Sequence, residues 1–105
     1  TIKIPTGIRA LIDENWVLKI YSRSSLGFKY RLWLDNLTGI IDSDYSNSDN
    51  EGHIFIKMTN NSLEDKIVRI NRGDKFAQGI FVQYGTVIDD DVVEERNGGF
   101  GSTNK

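Results

Sequence analysis

The run His53-Ile54-Phe55-Ile56-Lys57-Met58-Thr59 alternates strictly between two sets of side chains. Ile54, Ile56 and Met58 fall on one side of an extended chain, and His53, Phe55, Lys57 and Thr59 fall on the other. Successive side chains of a strand point to opposite faces, so this pattern reads as a β-strand with one face against a core. Shorter runs of the same kind flank it. Ile2-Lys3-Ile4, Ile8 to Ile12, Trp16 to Tyr21, Arg31 to Leu37, Ile67 to Ile70 and Phe76 to Tyr84 are expected strands. Pro5-Thr6-Gly7, Asp13-Glu14-Asn15, Asn60-Asn61-Ser62 and Asn71-Arg72-Gly73-Asp74 separate them as turns. Short strands at this spacing predict an all-β sandwich or barrel.

One short helix at most is expected, over Ser24-Ser25-Leu26-Gly27-Phe28-Lys29-Tyr30. Its hydroxyl residues suit an N-cap, whereas Gly27, Phe28 and Tyr30 argue against a long helix. Trp16 and Trp33 are expected in the core or at a subunit contact. From Asn97 onward the chain is Gly, Ser, Thr and Asn around Phe100. Such a composition does not pack by itself. The expected organisation is a β-domain over residues 1–95 and a flexible Gly-rich lid over 96–105.

Composition narrows the chemistry. The chain has 105 residues, 38% hydrophobic and 27% charged, with a net charge of −2. It is expected to be a soluble single domain with no basic face for nucleic acid. It has no cysteine, which excludes disulfides, thiolate metal sites and a cysteine nucleophile. The lone histidine, His53, excludes a histidine zinc cluster and reads as a paired or surface imidazole. No run of about 18 apolar residues is present, and no charged-then-apolar leader is read at the start. A cytoplasmic location is the expectation, and no membrane partner.

Four blocks carry candidate chemistry. Arg23-Ser24-Ser25 offers a guanidinium, two hydroxyls and the free N–H groups of a helix start, all suited to an anion; its ordinary reading is a helix cap. In Asn36-Leu37-Thr38-Gly39-Ile40-Ile41-Asp42-Ser43-Asp44-Tyr45, apolar residues run into carboxylates. Asp42 at a buried strand end can hold and deprotonate a water, and Tyr45 offers a flat face to a sugar; a hairpin loop is the plainer reading. Gly73-Asp74-Lys75-Phe76-Ala77-Gln78 is a turn entering a strand, where Gln78 has an amide donor for a phosphate oxygen. In Arg96-Asn97-Gly98-Gly99-Phe100-Gly101-Ser102-Thr103 a ring between glycines can close over a base, with Arg96, Ser102 and Thr103 near phosphates; a plain tail is the alternative. Asp89-Asp90-Asp91 and Glu94-Glu95 read as a solvated acidic run.

In this order the four blocks resemble motifs two to five of the homotrimeric dUTPase family. The resemblance implies a distorted jelly-roll or β-barrel, assembled as a homotrimer with sites shared between subunits. It implies hydrolysis of dUTP to dUMP and pyrophosphate, with Mg2+ carried by substrate phosphates and water and no direct protein ligand. It assigns Asp42 to the attacking water, Tyr45 to the deoxyribose, and Asn36 with the hairpin through Gly39 and Ile41 to uracil. It assigns Arg23, Ser24, Ser25 and Gln78 to phosphates. Phe100 is assigned to stacking on uracil, and Arg96, Gly101, Ser102 and Thr103 to the lid.

Three departures accompany the resemblance. The family's first motif, an Ala-Gly-Tyr-Asp-like block whose aspartate holds water around Mg2+, is absent. The chain is therefore expected to begin about 30–40 residues into a domain of this type. Ser22 stands where a proline is usual, and Asn104 where a glycine is usual. Two other functions stay open from sequence: a dCTP deaminase-like enzyme, and a non-catalytic nucleotide-binding or regulatory module lacking the first motif. Against the deaminase stand the Asp42 to Tyr45 run and the Gly-rich lid.

Overall fold

The computed structural model describes residues 1–88. In chain order these form β1 (Ile2–Pro5), β2 (Trp16–Ser22), α1 (Ser24–Tyr30), β3 (Leu32–Leu34), β4 (Gly39–Ile41), a 3-10 turn (Ser43–Asn47), β5 (Phe55–Asn60) and β6 (Ala77–Gln83). The strands make two antiparallel sheets, ordered β1-β5-β3 and β4-β2-β6. The all-β expectation holds, and α1 is a single short helix.

The alternating run forms the central strand β5 from Phe55 onward, with His53 and Ile54 lying just before it. Ile54, Ile56 and Met58 are buried as the period of two requires, and Met58 has no exposed surface. They meet Leu32 and Leu34 of β3, Ile20 of β2 and Tyr45 of the 3-10 turn in one core cluster. On the opposite face, the Lys3 ammonium lies 4.8 Å from the centre of the Phe55 ring. His53 is paired as anticipated: its Nε2 accepts the Gly7 backbone N–H at 3.0 Å.

Two expected strands do not form. Ile8 to Ile12 is irregular, with Ile8 and Leu11 exposed. The Ile8 carbonyl accepts one bond from Ile54, and no ladder follows. Ile67 to Ile70 is also irregular, although Val68 and Ile70 pack on the core while Ile67 and Arg69 stay outside. Alternation there reflects burial without a neighbouring strand among the described residues. The run from Arg31 to Leu37 shortens to β3, because Arg31 and Leu37 take positive φ of 50° and 65°. Asn60 belongs to β5 rather than to the following turn. Arg23, not a serine, is the N-cap of α1, and no side chain caps the helix. Neither tryptophan is in the core: Trp16 and Trp33 are both over a third exposed.

Gly52 closes the loop between the 3-10 turn and β5. Its φ is +80°, and a Cβ there would lie 2.7 Å from the Ser46 Cα, a contact with backbone that cannot swing away. Gly52→Ala is expected to cost about 3 kcal/mol, from left-handed strain plus the clash. Urea unfolding of the two proteins measures it; an unchanged midpoint would show that the loop relaxes freely.

Candidate active site

Strand β2 organises the candidate residues, because it is bonded to β4 on one side and to β6 on the other. Leu18 faces Ile41, so Asp42 emerges beside the start of β2. Ser22 faces Ala77 and Tyr21 faces Gln78, so Arg23 and Gln78 emerge at its far end. The stretch from Val17 to Arg23 spans about 20 Å at the usual rise of a strand. One chain therefore gathers its candidate residues into two separate groups.

The first group is the carboxylate end. Gly39 is buried where a Cβ would come within 3.2 Å of the Ile20 Cβ, so β4 lies tight against β2. Asp42, half-buried, is the N-cap of the 3-10 turn, and its carbonyl accepts the Tyr45 N–H at 3.2 Å. This is the strand-end position expected from sequence. Tyr45 is only 5% exposed. Its hydroxyl donates to the His53 carbonyl at 2.8 Å and accepts from Asn50 Nδ2 at 3.1 Å. That hydroxyl belongs to the fold, and the ring is packed in the core cluster, so the flat face expected for a sugar is not open in this chain. Asn36 is exposed in the turn before β4, where its carbonyl accepts the Thr38 N–H at 2.7 Å.

The second group is the cationic end. Arg23, Ser25 and Leu26 line a depression of about 420 Å³ together with Arg69, Ile70, Gly73, Asp74 and Lys75. The Arg23 block and the Gly73 block, distant in sequence, thus meet. Gln78 Nε2 donates to the Ser22 carbonyl at 3.0 Å, which ties the start of β6 to the residue before Arg23. Ser24 and Ser25 are exposed. Arg69 and Lys75 were missed as site residues from sequence. The signal for Arg69 was a lone cation in the apolar run Ile67 to Ile70, with its neighbours turned inward.

A larger cavity, about 880 Å³, opens between the sheets. Its walls include Ile4, Leu18, Ile20, Ile54, Ile56 and Phe76. Apolar walls do not suit a polyphosphate, and Asp42 is not among them. Among the described residues no three His, Asp or Glu side chains stand together as metal ligands. No described helix is long and apolar enough to cross a membrane. Arg96, Phe100, Gly101, Ser102 and Thr103 lie outside the described residues, as does the boundary expected near residue 95.

Two small antiparallel sheets around β2 and β5 define a β-fold seen in a known structure. A dUTPase from Streptococcus mutans superposes with a TM-score of 0.71 and 38% identity, over 82% of this chain and 66% of that one. The chain belongs to the dUTPase family, whose model matches residues 1–104. The deoxyuridine 5'-triphosphate nucleotidohydrolase of Lactococcus lactis subsp. lactis is 46% identical over 104 residues, which is 95% of this chain and 67% of that protein. The enzyme of that name from Haemophilus ducreyi is 39% identical, over 100% of this chain and 68% of its own length. This chain thus spans about two thirds of each relative.

The Tyr45 hydroxyl generates a test of the carboxylate end. Tyr45→Phe leaves the His53 carbonyl without its donor and is expected to cost about 1–2 kcal/mol. Thermal unfolding measures the loss; an unshifted Tm would mean that water replaces the hydroxyl at no cost.

Proposed function

We propose that this chain hydrolyses dUTP to dUMP and pyrophosphate, at sites built from more than one copy. The observation that carries the reading is Asp42, a half-buried carboxylate fixed at the end of β4 in a chain of the dUTPase family. Its relatives bear the name deoxyuridine 5'-triphosphate nucleotidohydrolase. In this reading the Asp42 carboxylate accepts a proton from a water as the water oxygen bonds to the α-phosphorus. The bond from that phosphorus to the bridging oxygen breaks, and pyrophosphate leaves. Arg23, Ser24, Ser25 and Gln78 hold phosphate oxygens. Asn36 and the backbone through Gly39 and Ile41 receive uracil, and Tyr45, buried in this chain, is assigned to the sugar on the resemblance alone. Arg96, Phe100, Gly101, Ser102 and Thr103 are assigned to the lid on the resemblance alone.

Shared sites follow from the span of β2. A carboxylate and a phosphate cradle about 20 Å apart along one strand do not reach the same phosphorus. A neighbouring copy supplying the cradle removes the difficulty, and a homotrimer is the proposed assembly. Mg2+ would be carried as a passenger on the triphosphate, with oxygen ligands from phosphates and water, as the resemblance implies. When bound there, it offsets charge on the phosphate oxygens.

Two experiments test the reading. Asp42→Asn is expected to lower dUTP turnover about a thousandfold with nucleotide binding retained; unchanged pyrophosphate release would refute the role of Asp42. Arg23→Ala is also expected to be nearly inactive. Mixing it with Asp42→Asn, with exchange of copies, is expected to restore measurable turnover, because a mixed assembly pairs an intact carboxylate with an intact cradle. A mixture as inactive as its components would place both groups in one chain's site.

A further inference from the structure

Resting on the nucleotide-hydrolase reading, we propose that Arg69 is a further phosphate-binding residue, acting on the polyphosphate chain beside Arg23. Arg23, Arg69 and Lys75 come from three separate segments and line the same 420 Å³ depression. Among the described residues no ion pair engages any of the three. The lining's one carboxylate, Asp74, is turned into its own turn, where it accepts the Asn71 N–H at 2.8 Å. Three cations are thus gathered around one concave surface on a chain whose net charge is −2. Three cations against the single carboxylate of Asp74 leave an excess of positive charge around the depression, and a polyvalent anion favours that arrangement.

Arg69 does not hang from a loose loop. Val68 and Ile70 on either side pack against the core, and the Asn60 amide donates to the Lys66 carbonyl at 2.7 Å. The backbone at position 69 is therefore held while the guanidinium stays exposed at the rim. A planar fork on a fixed base can bind oxygens of two successive phosphates, which a flexible ammonium does less well. Such a residue favours ligands with more phosphates over ligands with one.

The test uses the whole chain and two probes, inorganic tripolyphosphate and dUTP, with dUMP as the low-charge comparison. Arg69→Ala is expected to weaken tripolyphosphate binding about tenfold in calorimetric titration. It is expected to raise the KM for dUTP similarly, with kcat and dUMP affinity little changed. Arg69→Lys is expected to recover part of the loss. Arg72→Ala, three residues along the same segment and in the wall of the adjoining apolar cavity instead of the depression, controls for net charge and is expected to bind like the parent. The proposal falls if Arg69→Ala binds tripolyphosphate as well as the parent, if dUMP and dUTP weaken equally, or if Arg72→Ala does as much harm. A parent that loses tripolyphosphate affinity on Arg69→Ala but never hydrolyses dUTP keeps the anion site and overturns the hydrolase reading instead.

Discussion

The pairing of β2 on both sides is the constraint on which the rest depends. One neighbour, β4, delivers Asp42 to the start of β2; the other, β6, delivers Gln78 to its end. Register fixes both placements, because a slip of one residue would turn Ile20 and Leu18 out of the core. The same pairing that builds the sheet also separates acid from cation by the strand's length. Stability and the distance between the two groups are thus two results of a single ladder.

The carboxylate end is held by a second, local device. Tyr45, Asn50, His53 and Gly52 tie the loop after Asp42 to the beginning of β5. A buried tyrosine needs a partner for its hydroxyl, and the His53 carbonyl supplies it. The positive φ of Gly52 lets the chain pass close to Ser46. The cationic end is tied by scattered single bonds, Gln78 to the Ser22 carbonyl, the Asn71 N–H to Asp74 and Asn60 to the Lys66 carbonyl. It depends also on core packing by Leu26, Ile70 and Phe76, with polar side chains left at the surface.

The sequence disclosed the fold class where burial and hydrogen bonding share a period. Through Ile54, Ile56 and Met58 the alternation marks the core face, and from Phe55 on it marks the strand β5 as well. Around Val68 and Ile70 the same alternation marks burial only, since no strand among the described residues lies alongside; one-dimensional patterning does not register which neighbours a segment has. Turn chemistry was legible at Asn71 to Asp74, where Asp74 N donates to the Asn71 carbonyl at 2.9 Å. It was not legible at Arg31 and Leu37, which adopt left-handed backbone without being glycine or asparagine. The strand-end position of Asp42 and the meeting of the Arg23 and Gly73 blocks were readable from ordered motifs. Arg69 was not, because its role depends on which segments fold beside it.

Strand β6 carries a different consequence. Among the described residues it is an edge strand, with Ile80 and Phe81 about half exposed on opposite faces and no proline or charged residue from Ala77 to Gln83. Natural sheets commonly blunt such rims with lysine, proline or a bulge. A newly made chain that has folded but found no companion would present an adhesive margin to whatever it meets first. Crowding during synthesis then raises the chance that such a margin meets another before it is covered.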